Sequence, residues 1–455
     1  MTEGIKVTET VDAILPKEFA NFCQSNNIPT RIFGVQPSRY IRLNPRFESI
    51  AADLEKLGSK KARRENEGEN CNDDSAEVRE GVNENSDEFV PNSGCDKDSQ
   101  EVSAEFSLEE ELSVGSAIVP WLPGTWWKLP TAAKVANVPS YRNGFIYGID
   151  AASGAAALAL DMCGSDVTRV LDLCCAPGAK LCLLADLNPK CQVVGVDVAE
   201  NRLAVCRTIL QKYQVPNAVV VRADGRNFSL DSWGVIDDLF TAERTGHGRK
   251  GRKRKREQIL KDAGFGNTVP AEKNAERKIE EVTNREENGG SACSDGVDVP
   301  MATPEILFDR VIVDAECTHD GSVKHIEKFE STWGLDTLAR RVPWLSESQL
   351  GDLVTLQKSL LVNGWRNLKP GGVFVYSTCS FARCQNEEVV SWFLEQSVYK
   401  SEAVLDPLPF RLEDVGAKPG IFADAFDDKG AVARFNPVDS DTSGLFLARF
   451  RKKNN

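Results

Sequence analysis

Short runs rich in valine and isoleucine alternate along this chain with segments of helical periodicity, and no other feature constrains the fold as strongly. Strand–helix–strand units of this kind assemble into a mostly parallel sheet, because each helix carries the chain back across a face of the sheet. We therefore predict an α/β fold. The candidate parallel strands are residues 168–174, 191–198, 217–224, 308–315 and 371–378.

The segments between and after these strands fit the same architecture. Residues 199–213 and 349–368 show helical periodicity, and Pro370 and Gly371 cannot continue the second helix. Residues 443–450 predict a late strand that we expect to be antiparallel. The expected sheet is thus mostly parallel, with one late antiparallel strand.

The region before the first parallel strand has a different character. Residues 16–26 predict a helix and residues 39–46 a strand, which together indicate a small α+β N-terminal domain. The predicted organisation is this small domain (1–45 and 112–145), an acidic insertion (46–111), the α/β domain (146–240 and 306–452) and a second insertion (241–305).

Most of the acidity belongs to the first insertion. A net charge of −13 argues against a nucleic-acid partner, since phosphates attract basic surfaces. Residues 65–111, however, hold 17 acidic residues against only Arg79 and Lys97, a net of −15, and the rest of the chain carries +2. Both insertions lack the periodic apolar residues that a packed element needs, so we predict that they are disordered.

Cysteine usage and hydropathy indicate an intracellular protein without a membrane span. The thirteen cysteines are an odd number without close CxxC pairs, the first residues do not form a secretory signal, and no run approaches the roughly 18 apolar residues of a spanning helix. The basic run Arg249–Arg256 could serve nuclear import or RNA contact, or be a solvated loop; it slightly favours the nucleus over the cytoplasm.

A cofactor site is expected where the parallel strands end, because ligands of open α/β sheets bind beyond their carboxyl ends. Asp197 is placed to hold a ribose and Asp224 an adenine edge, although each could also be a simple helix cap. The missing GxGxxG and Lys-Ser/Thr motifs argue against dinucleotides and ATP, so S-adenosylmethionine fits best. The small-residue turn after the first strand is Cys174, Cys175, Ala176, Pro177, Gly178, Ala179 and Lys180.

Two more strand ends carry cysteines, Cys317 after Asp314 and Cys379 after Thr378. A single cysteine there is more often a core residue, but two at one sheet edge favour chemistry. Carbon 5 of cytosine becomes nucleophilic only after a thiolate adds to carbon 6, and a carboxyl group such as Asp314 could stabilise that adduct. The pair therefore indicates cytosine-5 methylation.

The motifs resemble the Nop/Sun (Sun/Fmu) family of RNA cytosine-5 methyltransferases. The resemblance covers about 115–452 apart from the second insertion, and YIRLNP is similar to the family's N-terminal motif. It implies a Rossmann-like S-adenosylmethionine methyltransferase domain beside an RNA-binding N-terminal domain. The blocks that carry it are DLCCAPGAK, GVDVAENR, RADGRNF, FDRVIVDAECT, LKPGGVFVYSTCSFARCQNEEVV and TSGLFLARFRK.

The resemblance also implies a role for each motif residue. Cys379 would be the nucleophile, Cys317 would aid product release, Asp314 would serve cofactor and base, and Lys180 would lie near the target base. The cofactor residues would be Cys174 to Lys180, Asp197, Asp224 and Asp314. Asn386 and Glu387 would support the active-site loop.

Two departures from the family pattern bear on these roles. Ala179 stands where the family has a second glycine, which adds only one methyl group. Glu316 stands where the family usually has proline, and a carboxylate there should raise the pKa of the Cys317 thiol and disfavour its thiolate. His319 is a candidate substitute base for the release step.

The expected partner is a structured RNA with an unpaired or flipped cytosine, with transfer RNA slightly favoured over ribosomal RNA. No metal site is indicated, and the sequence does not specify an oligomeric state. The main alternative is a methyltransferase-like RNA-binding scaffold that has lost turnover, motivated by Glu316 and the insertions. A DNA cytosine methyltransferase fits less well, since it would show Pro-Cys. A small-molecule or protein methyltransferase also fits less well, since such enzymes need no paired cysteines.

Overall fold

The described part of the chain divides into two compact units. One consists of the described residues of 39–119 and 124–148, and the other of the described residues of 17–38, 120–123 and 149–454. The predicted insertions and the basic run lie almost wholly outside the described residues. A computed structural model describes residues 17–46, 116–164, 166–233, 304, 306–323, 347–422 and 428–454.

The smaller unit is built on a four-stranded antiparallel sheet in the order β2-β3-β1-β4. Strand β1 confirms the strand predicted over 39–46. Ile41, Leu129 and Ile146 of this sheet pack together in a buried cluster, which gives the unit a core of its own. The strands are β1 Arg39–Leu43, β2 Ala117–Ile118, β3 Trp126–Leu129 and β4 Ile146–Gly148, and helix α2 is Pro139–Arg142.

The larger unit is built on an eight-stranded sheet in the order β10-β12-β9-β8-β5-β6-β7, with β11 paired to β12. The five predicted parallel strands correspond to β5 to β9 and pair in parallel, and the predicted late strand is antiparallel β12. The strands are β5 Arg169–Asp172, β6 Gln192–Asp197, β7 Ala218–Arg222, β8 Phe308–Asp314, β9 Leu368–Thr378, β10 Ala403–Leu405, β11 Val432–Phe435 and β12 Leu445–Lys452.

Helices cover both faces of this sheet. On one face Leu171, Val311 and Phe374 join a buried cluster with Leu361 and Trp365. The alternate strand residues are equally buried, as the continuous apolar runs of a sheet covered on both faces require. The helices of this unit are α1 Lys17–Ser25, α3 Ala151–Leu158, α4 Ala179–Leu187, α5 Glu200–Lys212, α6 Glu347–Arg366, α7 Glu387–Glu395 and α8 Ser397–Lys400.

The helix predicted over 349–368 ends two residues early. Helix α6 stops at Arg366, and Leu368 already belongs to β9, where it is buried and pairs with Phe308. The register between β8 and β9 then shifts at the Lys369–Gly372 segment, where Gly371 has a φ of +75°. The chain therefore leaves the helix to pair with β8 before it reaches Pro370.

Among the described strands of this sheet, β12 alone runs opposite to β5–β9, as predicted; the short strands β10 and β11 both pair antiparallel to β12 and therefore run in the direction of β9. One further expectation needs correction. Helix α1 belongs to the larger unit rather than to a separate N-terminal domain, since Phe19 and Phe22 pack in one buried cluster with Phe381. Within the described residues, no helix is both long and apolar enough to cross a membrane.

Trp365 of α6 is the centre of the aromatic core and provides the test of this packing. Its ring lies 5.3 Å from that of Phe393 and 6.0 Å from that of Phe374, and its side chain is fully buried. Trp365→Ala should lower the free energy of unfolding by about 3–5 kcal/mol, and Trp365→Phe by clearly less, because the cavity is smaller. Denaturant unfolding measures both; equal losses would contradict this account.

Candidate active site

The loop from Cys174 to Lys180 joins β5 to α4. Gly178 has a φ of +108°, the left-handed region in which a side chain is strained, and α4 begins directly after it at Ala179. The loop is fixed to its neighbours through Ala176, whose carbonyl accepts a 2.7 Å hydrogen bond from Arg202. The small residues thus bring the backbone to the sheet edge at the start of a helix.

Asp197 lies at the carboxyl end of β6 and is buried. Its carboxylate accepts hydrogen bonds from the amides of Ala199 at 2.9 Å and Ala176 at 3.4 Å, and Arg202 lies 3.7 Å away. It therefore ties the loop from Cys174 to Lys180 to the next strand end.

Asp224 lies just after β7 and is more exposed than Asp197. Arg226 donates to its carboxylate from the backbone amide at 2.9 Å and from the guanidinium group at 2.6 Å. The hydrogen bonds from Arg226 lower the pKa of Asp224. Asp224 is thus a solvent-accessible anion at the third strand end.

Asp172, the last residue of β5, is a buried acid that sequence reasoning did not single out. In the described part of the chain neither of its carboxylate oxygens meets the geometry of a hydrogen bond. Burial is the main cause that raises its pKa from 3.8 to about 8; Asp314 adds to this, and Lys180 partly offsets it. A cation placed beside this carboxyl group would stabilise its ionised form and lower its pKa.

Asp314 at the end of β8 lies between a cation and a hydroxyl group. Lys180 donates to one carboxylate oxygen at 2.7 Å and Ser377 donates to the other at 2.7 Å. Burial alone would lower the pKa of Lys180, but the adjacent Asp314 more than compensates and raises it. The predicted residues Lys180 and Asp314 are therefore a charged pair.

The two predicted cysteines meet at the ends of β8 and β9. The Sγ atoms of Cys317 and Cys379 lie 3.2 Å apart, and His319 Nδ1 lies 3.0 Å from Cys379 Sγ and 3.6 Å from Cys317 Sγ. Both cysteines are free thiols. The structure thus brings a thiol pair and an imidazole together.

The two thiols have opposite pKa shifts. The pKa of Cys379 lies well below its usual value, first because Cys317 donates a hydrogen bond to it, and also because His319 does. Burial and the shared proton raise the pKa of Cys317 well above its usual value, and Asp320 adds to this. The direction expected for Cys317 is therefore correct, but burial rather than Glu316 is the leading cause.

Buried amide side chains hold the two cysteine loops together. Gln385 accepts a 3.1 Å hydrogen bond from the Thr318 amide and donates to the Ser380 hydroxyl at 3.0 Å. Asn386 accepts from Thr378 at 2.6 Å and donates to the Ser380 carbonyl at 2.8 Å. The residues next to Cys317 and Cys379 therefore have few alternative positions.

Glu387 forms a buried ion pair behind the same loop. Arg434 of β11 contacts both of its carboxylate oxygens and also donates to the Phe381 carbonyl at 3.0 Å. The Ile421 amide donates to Glu387 at 2.8 Å. Arg434 is a residue that sequence reasoning missed, because no local pattern connects β11 with residue 387.

Asp172 gives this site a testable pH signature. Between about pH 4 and 8 the folded protein holds a proton on Asp172 that the unfolded chain releases, so the free energy of unfolding falls as pH rises through that window. Asp172→Asn cannot ionise and should be more stable than the wild type by about 1–3 kcal/mol at pH 8, and by less at pH 5.5.

Thermal or denaturant unfolding at both pH values measures this difference. Asp352→Asn, which removes an exposed carboxylate on α6, is the matched control and should follow the wild type. An Asp172→Asn advantage that stays constant with pH would exclude this titration.

Comparisons with known proteins place this chain in a family. The family model described as 16S rRNA methyltransferase RsmB/F matches residues 157–262 and 258–451. The tRNA (cytosine(49)-C(5))-methyltransferase of Pyrococcus abyssi is 35% identical over 155 residues, which are 33% of this chain and 44% of that protein. Ribosomal RNA small subunit methyltransferase F of Pectobacterium atrosepticum is 23% identical over 339 residues, 73% of this chain and 50% of that protein.

The fold is shared with a solved structure. A methyltransferase homolog protein from Pyrococcus horikoshii has a TM-score of 0.53 and 19% identity, and the match covers 96% of this chain and 95% of that one. This chain spans half or less of the length of the curated relatives above. The family model matches well over half of the chain, so the chain belongs to the 16S rRNA methyltransferase RsmB/F family, the Sun/Fmu family that its motifs resemble.

Proposed function

We propose that this chain is an S-adenosylmethionine-dependent RNA cytosine-5 methyltransferase that uses Cys379 as its covalent nucleophile. The observation that carries the proposal is the 3.2 Å contact between two free thiols at adjacent strand ends, beside the Lys180–Asp314 pair. Cytosine-5 methylation needs a thiolate at carbon 6 and help in releasing it afterwards. A methyl transfer to oxygen or nitrogen would need neither thiol.

Cys379 is the better nucleophile of the two. Its low pKa favours the thiolate, whereas the raised pKa of Cys317 favours the thiol. The sulfur electron pair of Cys379 forms the bond to carbon 6, and the ring electrons shift towards carbon 5 and the polar edge of the base. Asp314, with Lys180 beside it, is the group available to stabilise that edge by hydrogen bonding.

The residues at the strand ends suit S-adenosylmethionine, which supplies the methyl group when bound. The Cys174 to Lys180 loop would hold it, with Asp197 and Asp224 for its ribose and adenine and Asp314 shared with the base. The buried carboxyl of Asp172 favours a ligand that carries positive charge and no phosphate. This agrees with the absence of phosphate-binding motifs in the sequence.

Cys317 is suited to the release step because its sulfur lies next to that of Cys379. After methylation the carbon 5 proton passes to the Cys317 sulfur, which accepts it as a thiolate once its own proton has gone to solvent. The bonding electrons restore the ring double bond, and the carbon–sulfur bond breaks with its pair returning to Cys379. Carbon 5 is bonded to carbon 6, so a group 3.2 Å from the attacking sulfur can reach this region.

The substrate would be a structured RNA whose target cytosine is unpaired or flipped out of its stack, since carbon 6 must be exposed to the thiolate. A transfer RNA is slightly favoured over ribosomal RNA, because the relative with 35% identity is named for a tRNA cytosine. The small N-terminal domain would contribute to RNA binding.

The first test is transfer of labelled methyl from S-adenosylmethionine to undermethylated RNA, followed by identification of the nucleoside. The wild type should produce 5-methylcytidine, and Cys379→Ala should lose at least about 10³-fold in rate because the carbon 6 adduct cannot form. Cofactor binding should persist in this variant.

Cys384→Ala is the matched control, since this nearby thiol contacts Asn26 rather than the cysteine pair, and it should retain activity. Undiminished transfer by Cys379→Ala would assign the nucleophile elsewhere. Cofactor binding by the wild type without any transfer would favour the RNA-binding scaffold that Glu316 suggests.

Cys317→Ala tests the release step separately. If Cys317 promotes release, the variant should accumulate a covalent protein–RNA adduct through Cys379, visible as a slower-migrating band that resists denaturant. The double variant Cys317→Ala/Cys379→Ala should show no such band. Full turnover without adduct in Cys317→Ala would remove Cys317 from the mechanism.

A further inference from the structure

His319 occupies a backbone conformation that its residue type rarely adopts. Its φ is +56°, in the left-handed region, where a non-glycine residue is uncommon. Such conformations persist only when the surrounding structure fixes them, and they concentrate at functional sites. The proposed methylation mechanism does not use this residue, so its conformation needs another explanation.

The loop that carries His319 is held tightly against the Cys379 loop. The Gly321 amide donates to the Cys379 carbonyl at 2.8 Å, and the Phe381 amide donates to the Asp320 carboxylate at 2.7 Å. A Cβ at Gly321 would lie 2.4 Å from that carbonyl oxygen, a distance that side chains do not tolerate. The imidazole is therefore presented to Cys379 by a loop that two hydrogen bonds hold against the Cys379 loop.

The contact favours Cys379 over Cys317. His319 Nδ1 lies 3.0 Å from Cys379 Sγ but 3.6 Å from Cys317 Sγ, and the imidazole reaches solvent at its outer side. An imidazole within hydrogen-bond reach of a thiol is an arrangement that activates cysteine nucleophiles, because the imidazole can accept the thiol proton.

We propose that His319 is a catalytic residue that takes the proton of the Cys379 thiol, so that the resting site holds an imidazolium–thiolate pair. The sulfur–hydrogen bond breaks, the proton passes to Nδ1, and both electrons remain on sulfur for the attack on carbon 6. The imidazolium stays beside the sulfur and stabilises the thiolate again when the product leaves. The role in attack rests on the proposed function; the ion pair itself does not.

Charges around the pair support this assignment. Cys379 raises the pKa of His319 above its usual value first through their hydrogen bond; burial opposes this, and Glu316 and Asp314 add to the increase. Among the described residues, the other groups facing Cys379 are the Cys317 thiol, the Ser322 hydroxyl, the Lys180 ammonium and the Asp320 carboxyl. Of these, only Lys180 is a cation, and it is engaged by Asp314 at 2.7 Å.

The test measures Cys379 directly. His319→Asn keeps a residue that tolerates the left-handed conformation and can hydrogen-bond, but it cannot hold a proton at neutral pH. The rate of iodoacetamide alkylation at the Cys379 peptide is followed by mass spectrometry from pH 5 to 9 in the full chain. The wild type should remain reactive near pH 6, and the variant should be alkylated at least about tenfold more slowly there. Such a loss corresponds to a pKa of Cys379 that is higher by about one pH unit or more.

Two references make the result decisive. The exposed Cys163 provides an internal standard whose alkylation should not change. Cys317→Ala removes the other hydrogen-bond donor to Cys379: if His319 takes the proton, this variant keeps more reactivity near pH 6 than His319→Asn does. An unchanged Cys379 profile in His319→Asn, or a larger loss in Cys317→Ala, overturns the proposal.

This readout is independent of methyl transfer. Loss of low-pH reactivity in His319→Asn supports the ion pair even if no RNA is methylated, in which case only the proposed function fails. Methylation by the wild type with an identical Cys379 profile in His319→Asn retains the proposed function and removes His319 from it.

Discussion

The parallel pairing of β8 with β9 is the constraint on which the site depends. It sets Asp314 opposite Ser377 at the point where both strands end, and their side chains are joined by a 2.7 Å hydrogen bond. The cysteines then follow within three residues on each strand. A register slip of one residue would turn these side chains to the other face of the sheet and separate the groups. Both strands are buried along their apolar residues, and the polar groups of the site begin only where the strands end.

Negative groups outnumber the cations beside them at this edge of the sheet, within the described residues. Asp172, Asp314 and a Cys379 thiolate would place three negative groups close together if all were ionised, and Lys180 can neutralise only part of this. The balance is reached in part by a proton retained on Asp172 and in part by the imidazole of His319. A ligand with positive charge at Asp172 would change that balance, so cofactor binding and the state of the thiols are expected to be coupled.

The sequence predicted most of the sheet because each buried strand is a short apolar run ending in a distinct residue. The strand ends at Asp197, Asp314 and Thr378 could be located from that pattern alone. Strands β10 and β11 have no such signal, because they are short and exist through pairing with β12. Helix α1 was recognised, but its packing against Phe381 depends on a contact more than 350 residues away, which no local pattern contains.

Within the site, residue identity was predictable and mutual geometry was not. The sequence singled out both cysteines, yet the 3.0 Å contact of His319 with Cys379 depends on a left-handed residue and on the close approach of Gly321. Likewise, nothing in the order of residues reveals that neither carboxylate oxygen of Asp172 meets the geometry of a hydrogen bond in the described part of the chain. The pKa of Asp172 depends on its removal from water, and the segments that bury it are distant in the sequence.

Glu316 and His319 are best understood together. In place of the family's usual proline, Glu316 has its backbone carbonyl fixed by a 2.8 Å hydrogen bond from Gln357, which also bonds to Gln385 at 3.2 Å. The loop after β8 is therefore held to α6 at this residue. Its exposed carboxylate contributes to the raised pKa of His319 rather than dominating that of Cys317. On this view the substitution does not weaken the cysteine pair: it supports the imidazolium that would keep Cys379 ionised.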